Sequence, residues 1–361
     1  MTEASNPMRV EKEVGPAPRL ALSRIGGSLR LIGGEGTRLE AHSEDGGGVL
    51  LRQAGETWEV EAGSDCAVFV PHQARVEIGT IGGEARLRGL AADLLIRSVG
   101  GDLHLRRVGS TAVETVGGDL IASRVDGDLT ADQVGGDATL NRVAGKVHLR
   151  AVGGDLHLHG ASGAVASAAG DLSAEVCPGK GWKGSLVAGG DLAFRLCREA
   201  SALISYRAGD RASLPTGASP SPKQGEVRLG EGEAEIELRA GANLMVSLMA
   251  REEMETGTDI EDKIFGHVDE ALHRVEFLAG RAGRVVVDGE AIGRKISRAI
   301  EGALERASAS ARRERGHGVW EAGSRGATSQ EERLAILRML EKGTITVDEA
   351  EKLLQALEGE A

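Results

Sequence analysis

Aromatic side chains are almost missing from this chain: Phe, Trp and Tyr together make up 2% of its 361 residues. Rings supply much of the buried area in an ordinary globular core, so their scarcity points to a narrow interior lined by Leu, Val, Ile and Ala. Cysteine is scarce too. Cys66, Cys177 and Cys197 have no C-x-x-C spacing, which removes zinc-ribbon and thioredoxin-like motifs and reads as buried structural thiols in a reducing cytoplasm. No apolar run reaches the length of a membrane-spanning helix, about 18 residues or more. The opening MTEASNPMRVEKEVG carries no basic segment leading into an apolar one, so no secretory signal is expected. A net charge of −12 weighs against nucleic acid as a partner, because phosphate neutralisation needs a basic surface.

Catalytic signatures are missing as well. The chain has no G-x-S-x-G, no phosphate-binding Gly-Lys-Ser/Thr loop and no zinc-protease motif, each of which places a reactive group on a defined turn or helix. With three Trp, one Tyr and four Phe there are few platforms for sugar rings. No enzyme, no small-molecule substrate and no cofactor is therefore expected.

Glycine, by contrast, is plentiful at 53 residues, and it is organised. A nine-residue motif runs VGGDLHLRR from Val99, VGGDLIASR from Val116, VDGDLTADQ from Val125, VGGDATLNR from Val134, VAGKVHLRA from Val143 and VGGDLHLHG from Val152. A copy one residue short, VGSTAVET, starts at Val108, and looser copies flank the set from Ile81 to Val187. A short fixed period is the mark of a solenoid. In D-L-x-L the two leucines sit at i and i+2, hence on one side of a strand, and the Val of the next copy follows after a bend. The Gly-Gly pair is expected to supply positive φ and to let neighbouring coils approach closely. The fold expected is mainly β: a right-handed parallel β-helix with two nonads, about 18 residues, per coil, followed by an α-helical C-terminal region. The clear repeats then make a rod about 25 Å long, with Leu103, Leu105, Leu120, Leu129, Leu140, Leu149, Leu156 and Leu158 inside.

The organisation follows from changes of period. Residues 1–20 read as a flexible tail and 21–248 as the solenoid with its caps, its core repeats at 81–197. The stretch 200–248 is expected to hold irregular strands around the Pro/Ser-rich loop LPTGASPSPKQGE. At 249–316 the spacing becomes helical, with apolar stripes Ile264, Val268, Leu272, Val275 and then Ile292, Ile296, Ile300, Leu304. Arg294, Arg298, Arg312 and Arg313 decorate the second stripe, a basic amphipathic pattern suited to a partner helix or an anionic membrane surface. A linker at 317–328 leads to 329–361. There Ser329 with Glu332 and Thr346 with Glu349 make two capping boxes, and Gly343 separates two helices of a hairpin. Leu334, Leu337, Leu353 and Leu357 exceed what two short helices can bury between themselves, so this hairpin is expected to dock on a protein partner or on a second copy.

Two metal readings can be weighed on spacing. Calcium-binding nonapeptide rolls need G-G-x-G-x-D-x-L-x, whereas here Asp102, Asp119, Asp137 and Asp155 follow Gly-Gly directly, so the aspartates are expected to bond the turn backbone. His148 and His157 lie one nonad apart and are expected on different faces, short of the three or more converging ligands that zinc takes.

The stretch CAVFVPHQARVEIGTIGGEARLRGLAADLLIRSVGGDLHLRRV resembles the adhesin-like or toastrack β-helix family of bacterial envelope-stress proteins, and ERLAILRMLEKGTITVDEAEKLLQAL is similar to the SHOCT-like helical hairpin. Together these cover about 30–240 and 329–358. The resemblance implies no catalytic residue. It implies a cytoplasmic scaffold linked to envelope stress, with a β-rod and a docking hairpin. A bactofilin-like polymer and a stress sensor lying at the inner membrane face stand as alternatives.

Overall fold

The computed structural model describes residues 9–43, 48–215 and 222–250 of the chain. Among them are twenty-four strands and no helix, all joined in one sheet. The hairpin at 329–361, the amphipathic stripes at 249–316 and the linker between them lie outside the described residues.

Strands of about six residues alternate between two ladders. Arg75–Ile81, Leu94–Val99, Thr111–Val116 and Leu129–Val134 pair in parallel in the first; Ala85–Leu90, Leu103–Val108 and Leu120–Val125 pair in parallel in the second. Each strand therefore skips its sequence neighbour and pairs with the next but one, as two nonads per coil require. Leu103 lies opposite Leu120, Leu120 opposite Ala138 and Ala138 opposite Leu156. The short repeat at Val108 loses one turn residue without losing register: Thr111 takes the slot of Leu94 and Leu129. Thr111 is buried, and its hydroxyl donates to the Gly109 carbonyl at 3.1 Å, so the hydroxyl is satisfied where the repeat otherwise places a leucine.

The core is a set of stacked columns. In one of them Leu87, Leu105, Ala122, Leu140, Leu158, Ala174, Phe194 and Val246 follow coil upon coil, all buried. Alanines among the leucines let large and small side chains interlock along the axis. All eight leucines expected inside are buried, Leu156 completely. The expectation that the interior has no room for rings needs correction. Phe194, Trp182 and Tyr206 are all buried, Phe194 next to the small Ala174. Trp182 donates its indole N–H to the Ala161 carbonyl at 3.0 Å. They lie where the repeat is loosest, Leu172 pairing with Leu192 after Leu156 has paired with Leu172.

The glycine pairs also work differently from expectation. Gly117, Gly135 and Gly153 do not have positive φ. A Cβ on any of them would collide with the carbonyl oxygen of the glycine one coil back, so close approach alone demands glycine there. Left-handed backbone appears elsewhere, at Arg107, Arg124 and Arg142 (φ 51–57°) and at Gly89 and Gly160.

Both ends depart from sequential stacking. At the N-terminal end the strands Arg19–Ile25 and Leu29–Gly34 pair with Arg75–Ile81 and Ala85–Leu90 on one side and with Thr57–Ala62 and Cys66–Pro71 on the other. The coil that comes second in sequence is thus outermost. At the C-terminal end Ala234–Ala240 and Asn243–Met249 slot between Lys183–Cys197 and Ala202–Ser213. The irregular strands expected at 200–248 are therefore two regular coils in exchanged order. Antiparallel strands finish each end: Arg38–Ser43 and Val49–Ala54 at one, Gln224–Leu229 at the other. Part of the expected tail belongs here as well, since Arg9–Glu13 is a strand antiparallel to Arg38–Ser43.

Candidate functional site

The most regular feature of the surface is a line of carboxylates at the bend from the first ladder to the second. From Leu103 to Leu192 each strand of the second ladder begins just after an aspartate, and that aspartate accepts a hydrogen bond from the next coil. The N–H of Asp119 donates to Asp102 Oδ1 (2.9 Å), that of Asp137 to Asp119, that of Asp155 to Asp137 and that of Asp171 to Asp155. The N–H of Asp191 donates to Asp171 Oδ1 and that of Asn243 to Asp191 Oδ1 (2.9 Å). The line bonds backbone, as the spacing suggested, but the bonded backbone belongs to the neighbouring coil rather than to the same turn. Both metal readings can be placed on the same geometry. His104 and His157 share the second ladder three coils apart, while His148 is on the first, and the described residues contain no cluster of three or more His, Cys, Asp or Glu arranged to hold an ion.

A second polar group lies further along the same strands. Asn141 and His159 are register partners, His159 and Glu175 likewise, and so are Glu175 and Arg195. His159 Nε2 is 3.7 Å from Glu175 Oε2, and Arg195 donates to Glu175 Oε1 at 2.8 Å. Asn141 Oδ1 and His159 Nδ1 are buried without a hydrogen-bond partner. On the first ladder Arg239 hydrogen-bonds Glu237 and holds its carboxyl below the usual value of 4.5, with slight desolvation opposing and the Arg239 charge and Ser185 adding to the effect.

The ends are charged and paired. Arg9–Glu13 is exposed along most of its length; Arg9 bridges Glu40 at 2.7 Å, and Arg38 bridges Glu11 at 2.9 Å and Glu13 at 3.3 Å. Short, charged antiparallel strands of this kind blunt an edge against strand addition.

Cysteine holds the clearest departure from the residue-level reading. Cys66 is buried and lies outside the disulfide, as expected of a structural thiol. Cys177 and Cys197 instead form a disulfide, with Cα atoms 5.2 Å apart. Cys177 directly follows the strand Leu172–Val176 and Cys197 ends its register partner on the adjacent coil, Leu192–Cys197. Their spacing of 20 residues matches the length of that coil, a signal legible only once coil length is known. The left-handed arginines were equally readable by alignment: R-R-V, S-R-V and N-R-V ending at 108, 125 and 143 stand where R-G-L and H-G-A stand at 88–90 and 159–161. The proposed interaction residues Leu334, Leu337, Leu353, Leu357, Arg294, Arg298, Arg312 and Arg313 lie outside the described residues.

Comparison with known proteins adds one family. Residues 331–361 match the SHOCT-like domain. The match lies in the C-terminal segment and leaves the rest of the chain uncovered. No curated protein matches it. Among solved structures, a candidate cell adhesion protein from Clostridium sporogenes aligns over 66% of this chain and 98% of its own at 12% identity, with a TM-score of 0.16.

Proposed function

We propose that this chain is a non-catalytic interaction protein: a capped β-rod that presents a C-terminal SHOCT-like docking module. The observation that carries this reading is the closure of both ends of the β body by antiparallel strands together with the SHOCT-like match at 331–361. Short antiparallel strands at the ends blunt growth by strand addition, which favours a discrete scaffold over the bactofilin-like polymer. In this reading the body is a right-handed β-helix of the adhesin-like, toastrack kind and works in the cytoplasm in a response to envelope stress. Leu334, Leu337, Leu353 and Leu357 form the contact with a protein partner or a second copy. Arg294, Arg298, Arg312 and Arg313 add attraction to that partner or to an anionic membrane face.

The test compares the full chain with Leu337→Asp/Leu353→Asp and with a chain ending at 328, by light-scattering mass, electron microscopy and capture of partners. The scaffold reading expects a fixed small mass and no filaments for the full chain. It also expects intact β-type circular dichroism with altered mass or lost partners in both variants. Long filaments would establish the polymer instead. Binding to anionic vesicles that survives loss of the leucines and disappears in high salt would establish the membrane reading.

A further inference from the structure

The disulfide between Cys177 and Cys197 sits at the one place where the β body changes its stacking order toward the C-terminal side. From Leu94 to Cys197 each coil lies on the coil made just before it. After Cys197 the chain turns through Arg198–Ala200, skips one place to form Ala202–Ser213, and returns as Ala234–Met249 to fill the gap. The strand Leu192–Cys197 is therefore the seat of the returning coil: Leu196 pairs with Leu248 and Cys197 with Met249, and the Arg198 N–H donates to the Met249 carbonyl at 3.0 Å. On its other side the same strand is bound through the disulfide to the coil beneath it. Met249 is also where the described body hands over to the part of the chain that carries the SHOCT-like match. One covalent bond thus fixes the strand from which the chain leaves and on which it later returns.

The two cysteines are not equally sheltered. Cys197 is buried, while Cys177 is half-buried and is followed by Pro178 and the exposed residues Gly179 and Lys180. A small thiol or disulfide in solution can reach Cys177, and Cys197 is placed to resolve what forms there. Cys66 lies outside this disulfide and is buried at the other end of the body.

We propose that Cys177 and Cys197 are a reversible redox latch on the returning C-terminal coil. In the closing direction the Cys177 thiolate attacks a low-molecular-weight disulfide and releases one of its thiols. The Cys197 thiolate then attacks Cys177 Sγ in the mixed disulfide and releases the second. Two protein thiols are oxidised, one external disulfide is reduced to two thiols, and the two protein protons pass to the released thiolates. Opening is the reverse reaction with two external thiols. Closed, the latch pins Leu192–Cys197, the seat on which Ala234–Met249 lies; open, the seat itself is held by hydrogen bonds and packing alone, and the seat, the coil on it and the displaced Ala202–Ser213 exchange with solvent more readily.

The experiment uses the full chain equilibrated in glutathione buffers of graded thiol-to-disulfide ratio. Each sample is divided for alkylation with mass mapping and for hydrogen exchange. The latch predicts that Cys177 and Cys197 change together as one two-electron couple while Cys66 stays unmodified. Amides in 192–213 and 234–249 should exchange at least tenfold faster in the dithiol form, and those in 103–161 should not change. The Cys177→Ser/Cys197→Ser chain should show the fast rates in every buffer; the wild-type titration stands alone if that variant does not fold. Three results overturn the latch. These are a pair that resists reduction until the body unfolds, cysteines that end as separate glutathione adducts, and oxidised and reduced chains that exchange alike.

Discussion

Removing one carboxylate from the line along the bend separates two roles that aspartate plays there, and Asp137 is the position to change. Asp137 Oδ1 accepts the N–H of Asp155 at 2.8 Å, and its own N–H donates to Asp119 Oδ1 at 2.9 Å. Asp137→Ala leaves the Asp155 amide without its acceptor. A hydrogen bond to a charged group contributes about 1.5–3 kcal/mol; water can replace part of it at this exposed bend, so a net loss of about 1–2 kcal/mol is expected. Asp137→Asn keeps an oxygen in place and removes one charge. Its two neighbours in the line are about 5 Å away, one coil on each side, and like charges at that distance in water repel by about 1 kcal/mol each. Asparagine should therefore be neutral or stabilising, most clearly at low salt. The chain already contains such a case: Asn243 holds the equivalent position and donates from both its backbone and its Nδ2 to Asp191 Oδ1. Thermal melts read the difference, because 1 kcal/mol moves the midpoint of a body this size by about 2–4 °C. Alanine should lower it, asparagine should not, and calcium chelation should leave all three proteins unchanged. Equal losses for alanine and asparagine would refute the hydrogen-bond account, and a drop on chelation would show that the carboxylates hold a cation.

The remaining expectations concern the core, the left-handed bend and acid stability. Leu156 is completely buried, so Leu156→Ala should cost about 2–5 kcal/mol by denaturant titration, and Leu156→Asp, which buries an unpaired charge, should abolish the cooperative transition. A folded Leu156→Asp protein would disprove the packing. Arg124 holds φ at 57° where Gly89 and Gly160 hold the same slot; a left-handed side chain costs about 1–2 kcal/mol, so Arg124→Gly should raise the melting temperature and Arg124→Val should lower it. The reverse order would mean that the arginine side chain outweighs the strain. Glu237 has its carboxyl lowered by Arg239. A group lowered on folding adds stability above its unfolded value and loses it as pH falls through the folded one. The gap between wild type and Glu237→Gln should accordingly be small, present at neutral pH, and gone once the pH is well below 4.5; a gap that widens in acid would contradict the sign.

How far residues alone carry the fold can be judged at particular places. Leu103, Leu105, Leu120 and Leu156 are readable because i, i+2 spacing decides which side of a strand a residue faces, and coil length follows because the nonad repeats nearly without interruption. Strand order at the ends is not readable in this way. Ile236 and Leu238 alternate as Leu103 and Leu105 do, and nothing in that alternation says that they will lie on Gly184 and Leu186 rather than beyond Ile204. Positive φ was assigned to the paired glycines because glycine tolerates it, whereas the same glycines are required by the carbonyl of the coil beneath them. Cys177 and Cys197 read as separate thiols because no C-x-x-C spacing joins them; their separation of 20 residues is one coil. The acidic line was legible as backbone-bonding, and the coil it bonds was not. The leucines and arginines of the C-terminal segments remain proposals.

The exchanged coils change how the ends of the body can come apart. A solenoid stacked in sequence order ends in a coil with one free chain end, and it unravels from there as a thread leaves a spool. Here the outermost parallel coil at each end, Thr57–Pro71 or Ala202–Ser213, is a loop whose two ends are both tied to coils deeper in the stack. Lifting it frees no terminus, so peeling cannot proceed coil by coil without drawing out the buried neighbour as well. The same wiring delays assembly: the Asn243 amide must find an aspartate 52 residues back, against 17 or 18 for the amides of Asp119 and Asp137, which by loop-closure entropy costs about 1 kcal/mol more. The centre of the β body can therefore form first from local contacts, and its ends close last, as ties rather than as tails.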